Sequence, residues 1–410
     1  MMYYIEYVIN NIGLKIALLV IGIEDYRLKD DSFSSILDIY VKISNQAKKD
    51  EKVNQKAYDY LKKVENDDKE MISRFKKITD KCVDGQLKIF DKLKIHFDVF
   101  THESDFVYNN YLEDTLNKLE KTNKLHEDEF GRLYVDLTGY NIPTKSPVIV
   151  LTRSNKTSLY PMRDIAYPIY KIGLNSKNNF IVLGENQEVY MKQISSLLDI
   201  LGYKAPKLIC YSYVLLDGDK MSTSAGTVVL VTDFMKAVRE TLIKEFDSRN
   251  SEISEEKLNI LVNACIKFTM LNVSKNKIVN FNLENATSFT GESGMYILYS
   301  LVRINSILKN NKIELVDEIR FNNEIENKII KELSLYPDVI DELLRSNEPA
   351  HLTKYIFNVA GLFSKLYEQV NISNETDIVL KSSRIRLLNC ISKVITSALK
   401  VLGIETIEKL

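Results

Sequence analysis

Cysteine and histidine are scarce in this chain of 410 residues, with four of each. Cys82, Cys210, Cys265 and Cys390 lie far apart and form no Cys-x-x-Cys pair. That excludes a disulfide framework or a thiolate zinc site and suits a reducing, cytoplasmic setting. His96, His102, His126 and His351 also lack ligand spacing, so no protein-bound metal is expected. Long apolar runs are missing too: the stretch from Ile12 to Ile23 is interrupted by Lys15 and is too short to span a bilayer, so no membrane partner is expected. The N-terminus lacks the basic region and small-residue cleavage site of a secretory signal. Nor is there charge of one sign. With 55 Lys+Arg against 56 Asp+Glu the net charge is −1, and any contact to nucleic acid has to come from local patches.

What is present divides the chain in two. Residues 2–9 are aromatic and β-branched and predict a strand; Asn10-Asn11-Ile12-Gly13 predicts a turn, and 14–26 a short apolar helix. From Ser32 to about Ile95 there is dense Lys, Glu and Asp with almost no Gly or Pro, which predicts a helical insertion, with Lys62 to Lys77 the solvated face of a hairpin. His96 to Phe100 predicts a short strand, and 124–140 an irregular β-excursion turning at Asp128-Glu129-Phe130-Gly131. An alternation follows: Val148–Thr152 strand, Arg163–Tyr170 helix, Asn179–Leu183 strand, Glu188–Leu201 helix, Leu208–Leu216 strand. Such alternation implies an α/β domain with a parallel sheet and ligands at the carboxyl ends of its strands. After about Phe281 strands stop. Amphipathic helices around Leu301–Leu308, Ile356–Tyr367 and Leu387–Leu402 predict an all-α bundle, so the boundary is expected between 280 and 281.

Three segments carry candidate chemistry. Lys220-Met221-Ser222-Thr223-Ser224 puts one ammonium beside several hydroxyls, a grouping able to hold a departing pyrophosphate. Gly184-Glu185-Asn186-Gln187 follows a predicted strand; the glycine lets backbone approach an adenosine, and Gln187 offers an amide at the mouth of the sheet, although a plain strand-to-helix turn has the same composition. Asp164 either caps a helix or, with Tyr160 nearby, binds a guanidinium or ammonium group.

Taken in order, these segments resemble the arginyl-tRNA synthetases, members of class I. The resemblance is carried by Tyr160-Pro161-Met162-Arg163-Asp164-Ile165-Ala166-Tyr167, then Val182 to Gln187, then Lys220 to Val229, and by Ser293 to Arg303, which is similar to the segment opening the family's C-terminal helices. It implies an incomplete Rossmann-like parallel-sheet catalytic domain over 1–280, with a helical insertion at about 30–95, followed by an α-helical anticodon-binding domain over 281–410. The partners implied are ATP with magnesium, arginine and its tRNA. By the resemblance, Tyr160, Asp164 and Gln187 bind arginine. Gly184, Glu185, Lys220 and Met221 bind ATP, with Lys220 and Ser222 acting in catalysis, while Tyr367 and Leu410 face the tRNA.

The departures are definite. Thr223 stands at the second lysine of the family's signature loop, Lys15 where the family often has glutamine, and none of the four histidines lies in the His-x-Gly-His context that steadies the ATP phosphates. The expectation is an arginine–tRNA ligase whose histidine segment comes from upstream or from a second polypeptide. A non-catalytic relative that binds tRNA or arginine is the alternative.

Overall fold

The computed structural model describes residues 5–409 apart from 31, 109–110, 145, 155, 157, 174–177, 217–218 and 221–229; at 108, 216, 219 and 220 it describes the backbone alone. Two compact units meet in sequence between Cys210 and Tyr211.

The first unit opens with β1 (Glu6–Ile9), the second half of the strand expected over 2–9, of which 2–4 lie outside the described residues, and with α1 (Leu14–Tyr26), at the expected place. Helices α2 (Phe33–Ala47), α3 (Glu51–Glu65) and α4 (Lys69–Lys92) follow, each started by a side-chain cap from Ser32, Asp50 and Asp68. Ile36, Ile39 and Ile43, then Val53, Ala57 and Leu61, then Met71, Phe75 and Ile78 recur at helical spacing and are buried with α1 in one core. The block from Lys62 to Lys77 is the expected hairpin, mostly exposed, with three residues turned to the core. The turn at Asp67 (φ 63°) is its tip, and Val64, Met71 and Phe75 are the residues that point inward.

Strand β2 (Val99–His102) pairs parallel to β1, Glu6 opposite Val99 and Ile9 opposite His102. It starts later than expected because Asp98 is spent on the strand edge, its carboxylate accepting from the Ile5 amide at 2.7 Å. After α5 (Asp105–Tyr108) and α6 (Tyr111–Glu120) come β3 (Leu125–Glu127), β4 (Leu133–Asp136) and β5 (Val148–Val150). The strand at Val148 is the antiparallel neighbour of β4, with Val135 opposite Ile149, and not a member of a parallel sheet. The link from β4 to β5 has no helix, and a parallel pair needs a crossover of a dozen residues or more. The expected turn is present: the Asp128 carboxylate accepts from the Phe130 and Arg132 amides, and Gly131 takes φ 75°.

Helix α7 (Tyr160–Gly173), β6 (Phe180–Gly184), a 3-10 turn (Glu185–Gln187), α8 (Glu188–Ile200) and β7 (Lys207–Tyr211) complete the unit. Met162, Ile165, Ile194, Leu197, Val135 and Leu151 form its second core, and β6 pairs with β7. The expected strand from Leu208 to Leu216 is two strands. Ser212 turns away to donate to the Lys275 carbonyl at 2.8 Å, and β8 (Val214–Leu216) pairs elsewhere.

In the second unit β8 lies between β9 (Asp219–Lys220), antiparallel, and β10 (Val279–Phe281), parallel. Helices α9 (Val231–Ser248), α10 (Glu255–Leu271), α11 (Leu283–Thr287), α12 (Gly294–Asn310), α13 (Glu324–Ser334), α14 (Tyr336–Ser346), α15 (Ala350–Gln369) and α16 (Ile378–Val401) share one core around Phe268, Phe281, Leu298, Ile356, Phe363 and Ile391. No helix among the described residues is long and apolar enough to cross a membrane.

Candidate active site

The site is built around α7. Its apolar residues Met162, Ile165 and Ala166 are buried, which fixes the helix and turns Tyr160, Arg163, Asp164 and Tyr167 to other directions. Arg163 is 3% exposed, and its Nε donates to Glu103 Oε1 at 2.5 Å. Its Nη1 lies 3.9 Å from Oε1 of Glu65, the last residue of α3, and the same oxygen lies 3.6 Å from Arg153 Nη1. Arg163 Nη1 and Glu65 Oε1 are buried without a hydrogen-bond partner. Burial pushes both the Glu65 and Glu103 carboxyls above their usual range, against the pull of the neighbouring guanidiniums.

Asp164 is the third carboxyl of this group. Its Oδ2 accepts from the Tyr190 hydroxyl at 2.5 Å. Its other oxygen has no hydrogen-bond partner among the described residues, and no cation there stands within ion-pair distance. Burial is again the main cause that raises its carboxyl, partly offset by the Tyr190 hydrogen bond and by Arg163. Burial and the charge of Asp164 push the Tyr190 phenol upward in turn. Glu65 thus lies beside Arg153 and Arg163, Glu103 beside Arg163, and Asp164 close enough to both Arg163 and Glu103 for their charges to act on one another.

The tyrosine hydrogen-bonded to Asp164 is Tyr190 on α8, which the sequence reading did not single out. The only available signal was its place three residues after Gln187, on the same side of a helix start. Tyr160 sits differently. It is 45% exposed, its ring carries the Arg163 guanidinium at 5.0 Å, and its hydroxyl would lie 3.2 Å from a Cβ at Gly13. The turn before α1 is tied to the same place: Asn11 Nδ2 donates to Ser104 Oγ at 2.8 Å, and the Ser104 amide donates to Asn11 Oδ1 at 3.0 Å.

Gly184 closes β6, and Glu185 and Gln187 form the exposed turn into α8. Gln187 precedes the helix without capping it by its side chain, so its amide stays available at the carboxyl end of a strand. The backbone of Lys220, in β9, pairs with Leu215 of β8. Its side chain, with Met221, Ser222 and the rest of the signature loop, lies outside the described residues, and so does Leu410. Tyr367 is on α15, 42% exposed. The Arg303 guanidinium stands 4.4 Å from its ring and 5.1 Å from that of Tyr299, which makes an aromatic and basic patch on the second unit.

A helical bundle after an α/β unit, with a half-buried carboxylate held by Tyr190 on the helix following the antiparallel strands, defines a class that the comparisons with known proteins specify. The sequence model described as "tRNA synthetases class I (R), catalytic domain" matches residues 4–284, and the "DALR anticodon binding domain" matches 297–410. The arginine–tRNA ligase of Clostridium kluyveri is 30% identical over 94% of this chain and 69% of its own length. That of Methanococcus aeolicus is 27% identical over 98% of this chain and 72% of the relative. The Thermus thermophilus arginyl-tRNA synthetase structure shares the fold with a TM-score of 0.86 at 19% identity, covering 99% of this chain and 76% of that one. The chain belongs to the class I arginyl-tRNA synthetase family.

Proposed function

We propose that this chain works as an arginine–tRNA ligase. The arginine carboxylate attacks the α-phosphorus of magnesium-bound ATP, pyrophosphate leaves, and a ribose hydroxyl at the tRNA 3′ end then displaces AMP from the arginyl-adenylate. The observation that carries the proposal is the match to the class I (R) catalytic model from residue 4 to 284. Asp164 is the guanidinium anchor, supported by its free oxygen and the excess of carboxyls around α7. Tyr160 flanks the arginine, Gln187 holds its polar end, and Gly184 and Glu185 lie along the nucleotide. Lys220 and Ser222, with Met221, hold the phosphates. Tyr367 and Leu410 meet the tRNA, Tyr367 being supported by its exposed ring beside Arg303. The working division is 1–280 for activation and 281–410 for the anticodon. The widely spaced free cysteines favour a cytoplasmic setting.

Arginine-dependent ATP–pyrophosphate exchange in the presence of tRNA tests the reaction. Within these 410 residues the signature loop offers Lys220 alone and no His-x-Gly-His segment. Each missing preorganised donor costs about 3–4 kcal/mol, so the chain alone is expected to exchange little. A peptide or second polypeptide bearing that segment is expected to restore exchange, and Lys220→Ala to abolish the restored activity. Full exchange by the chain alone that survives Lys220→Ala would contradict the role given to the loop.

A further inference from the structure

Among the described residues, the side chain hydrogen-bonded to the proposed guanidinium anchor comes from α8, and neither the family resemblance nor the site roles given above include it. We propose that Tyr190 is a positioning residue: its hydroxyl holds one oxygen of Asp164 so that the other is turned out for the guanidinium of arginine. This rests on the reading of Asp164 as the arginine anchor.

The terminal torsion of an aspartate is broad and roughly two-fold, so packing alone does not fix the carboxylate plane. A 2.5 Å hydrogen bond from a phenol does fix it. Tyr190 is well suited to hold the donor in place. It sits in the first turn of α8, whose Met191, Ile194 and Leu197 are buried in the same core as Met162 and Ile165 of α7. The distance between phenol and carboxylate is therefore set by packing of the two helices. The other charged groups around Asp164 do not substitute for it. Arg163 is engaged with Glu103, and Glu103 itself repels the Asp164 charge. Tyr190 is thus the group that both orients the carboxylate and favours its ionised form against burial.

The test is calorimetric titration of L-arginine into the whole chain and into Tyr190→Phe and Asp164→Asn, at a series of pH values from about 5 to 8.5, with thermal melts alongside. Tyr190→Phe is expected to bind arginine roughly tenfold more weakly near neutral pH, the loss typical of a hydrogen bond to a charged group. The pH below which arginine binding fails is expected to move upward, because the carboxyl loses a partner that favours its charged form. The melt is expected to change little. Unchanged affinity, or a loss equal at every pH, would overturn the positioning role, since a merely structural defect has no reason to follow ionisation of Asp164. Asp164→Asn separates the two readings. Full affinity in that variant, or no binding by the parent chain, would overturn the anchor itself and the positioning role with it.

Discussion

Each unit buries an arginine against glutamates, and the two clusters are made differently. In the second unit Arg384 is 4% exposed, and its three nitrogens donate to Glu326 at 2.6 Å, Glu375 at 2.5 Å and Asn322 at 2.8 Å. Glu326 also accepts from the Asn322 and Asn323 amides and completes the capping box of α13. In the first unit Arg163 is equally buried, yet its Nη1 and the Glu65 Oε1 that it faces at 3.9 Å are held by charge alone, without a hydrogen bond. A satisfied buried pair holds helices together and has no capacity left for a ligand. An unsatisfied one, with Asp164 beside it, keeps charge available for a substrate. The difference supports the arginine site proposed above, which burial alone does not distinguish from the structural cluster.

Breaking the satisfied cluster has the largest expected effect. Arg384→Ala strands the fully buried Glu326 carboxylate, and removing one partner of such a pair costs about 3–5 kcal/mol. Thermal or urea melts would measure it, with arginine affinity of the folded protein unchanged. If arginine affinity fell in step with stability, the division into a structural and a functional cluster would be lost.

Overpacking in the same unit comes next. A Cβ at Gly294 would lie 2.3 Å from the Ala264 carbonyl oxygen, so α10 and α12 touch through the glycine. Gly294→Ala is expected to destabilise by about 1–3 kcal/mol, read as a lower melting temperature. A neutral outcome would mean that the two helices separate easily, contrary to their shared core.

Loss of the exposed ring at Tyr367 should be silent in a melt and visible with RNA. Stacking of a base on an aromatic ring contributes about 1–3 kcal/mol, and Tyr367→Ala is expected to weaken tRNA binding toward the low end of that range, as measured by filter binding at fixed salt. An unchanged tRNA affinity would return Tyr367 to a structural role, holding Arg303 by its ring.

Mild acid should separate the clusters with the smallest perturbation. A backbone hydrogen bond from Asp377 and then the Arg384 contact hold Glu375 below the usual carboxylate range, so its contribution is full above the unfolded-state value and is lost only as pH falls through the lowered one. Glu65, Glu103 and Asp164 are raised by burial. Their folded forms take up protons first as pH falls, which favours the fold between the folded and unfolded values but removes the charge that arginine needs. Arginine affinity is therefore expected to fail before hydrogen exchange at α16 quickens. The reverse order would contradict the assignment.

Much of this contrast was not legible in sequence. Helices α1, α12, α15 and α16 follow from apolar spacing, and Asp164 from its motif. The partners of Arg163 do not, because Glu103 is 60 positions away and Glu65 lies on an insertion that reads as solvated charge. The direction of β5 was equally hidden, since Val148, Ile149 and Val150 have the same apolar pattern in either sheet type. Helices α9, α10, α13 and α14 are not among the helices read from the sequence, although α14 carries Tyr336, Val339, Ile340 and Leu343 at helical spacing. Tyr190 reads as an ordinary helix residue until α8 is laid beside α7.

The most direct measurement titrates arginine and lysine into the parent chain and into Asp164→Ala. The account predicts that the parent binds arginine, that Asp164→Ala weakens this about tenfold or more, and that lysine binds poorly to both. Arginine affinity unchanged by Asp164→Ala would contradict it.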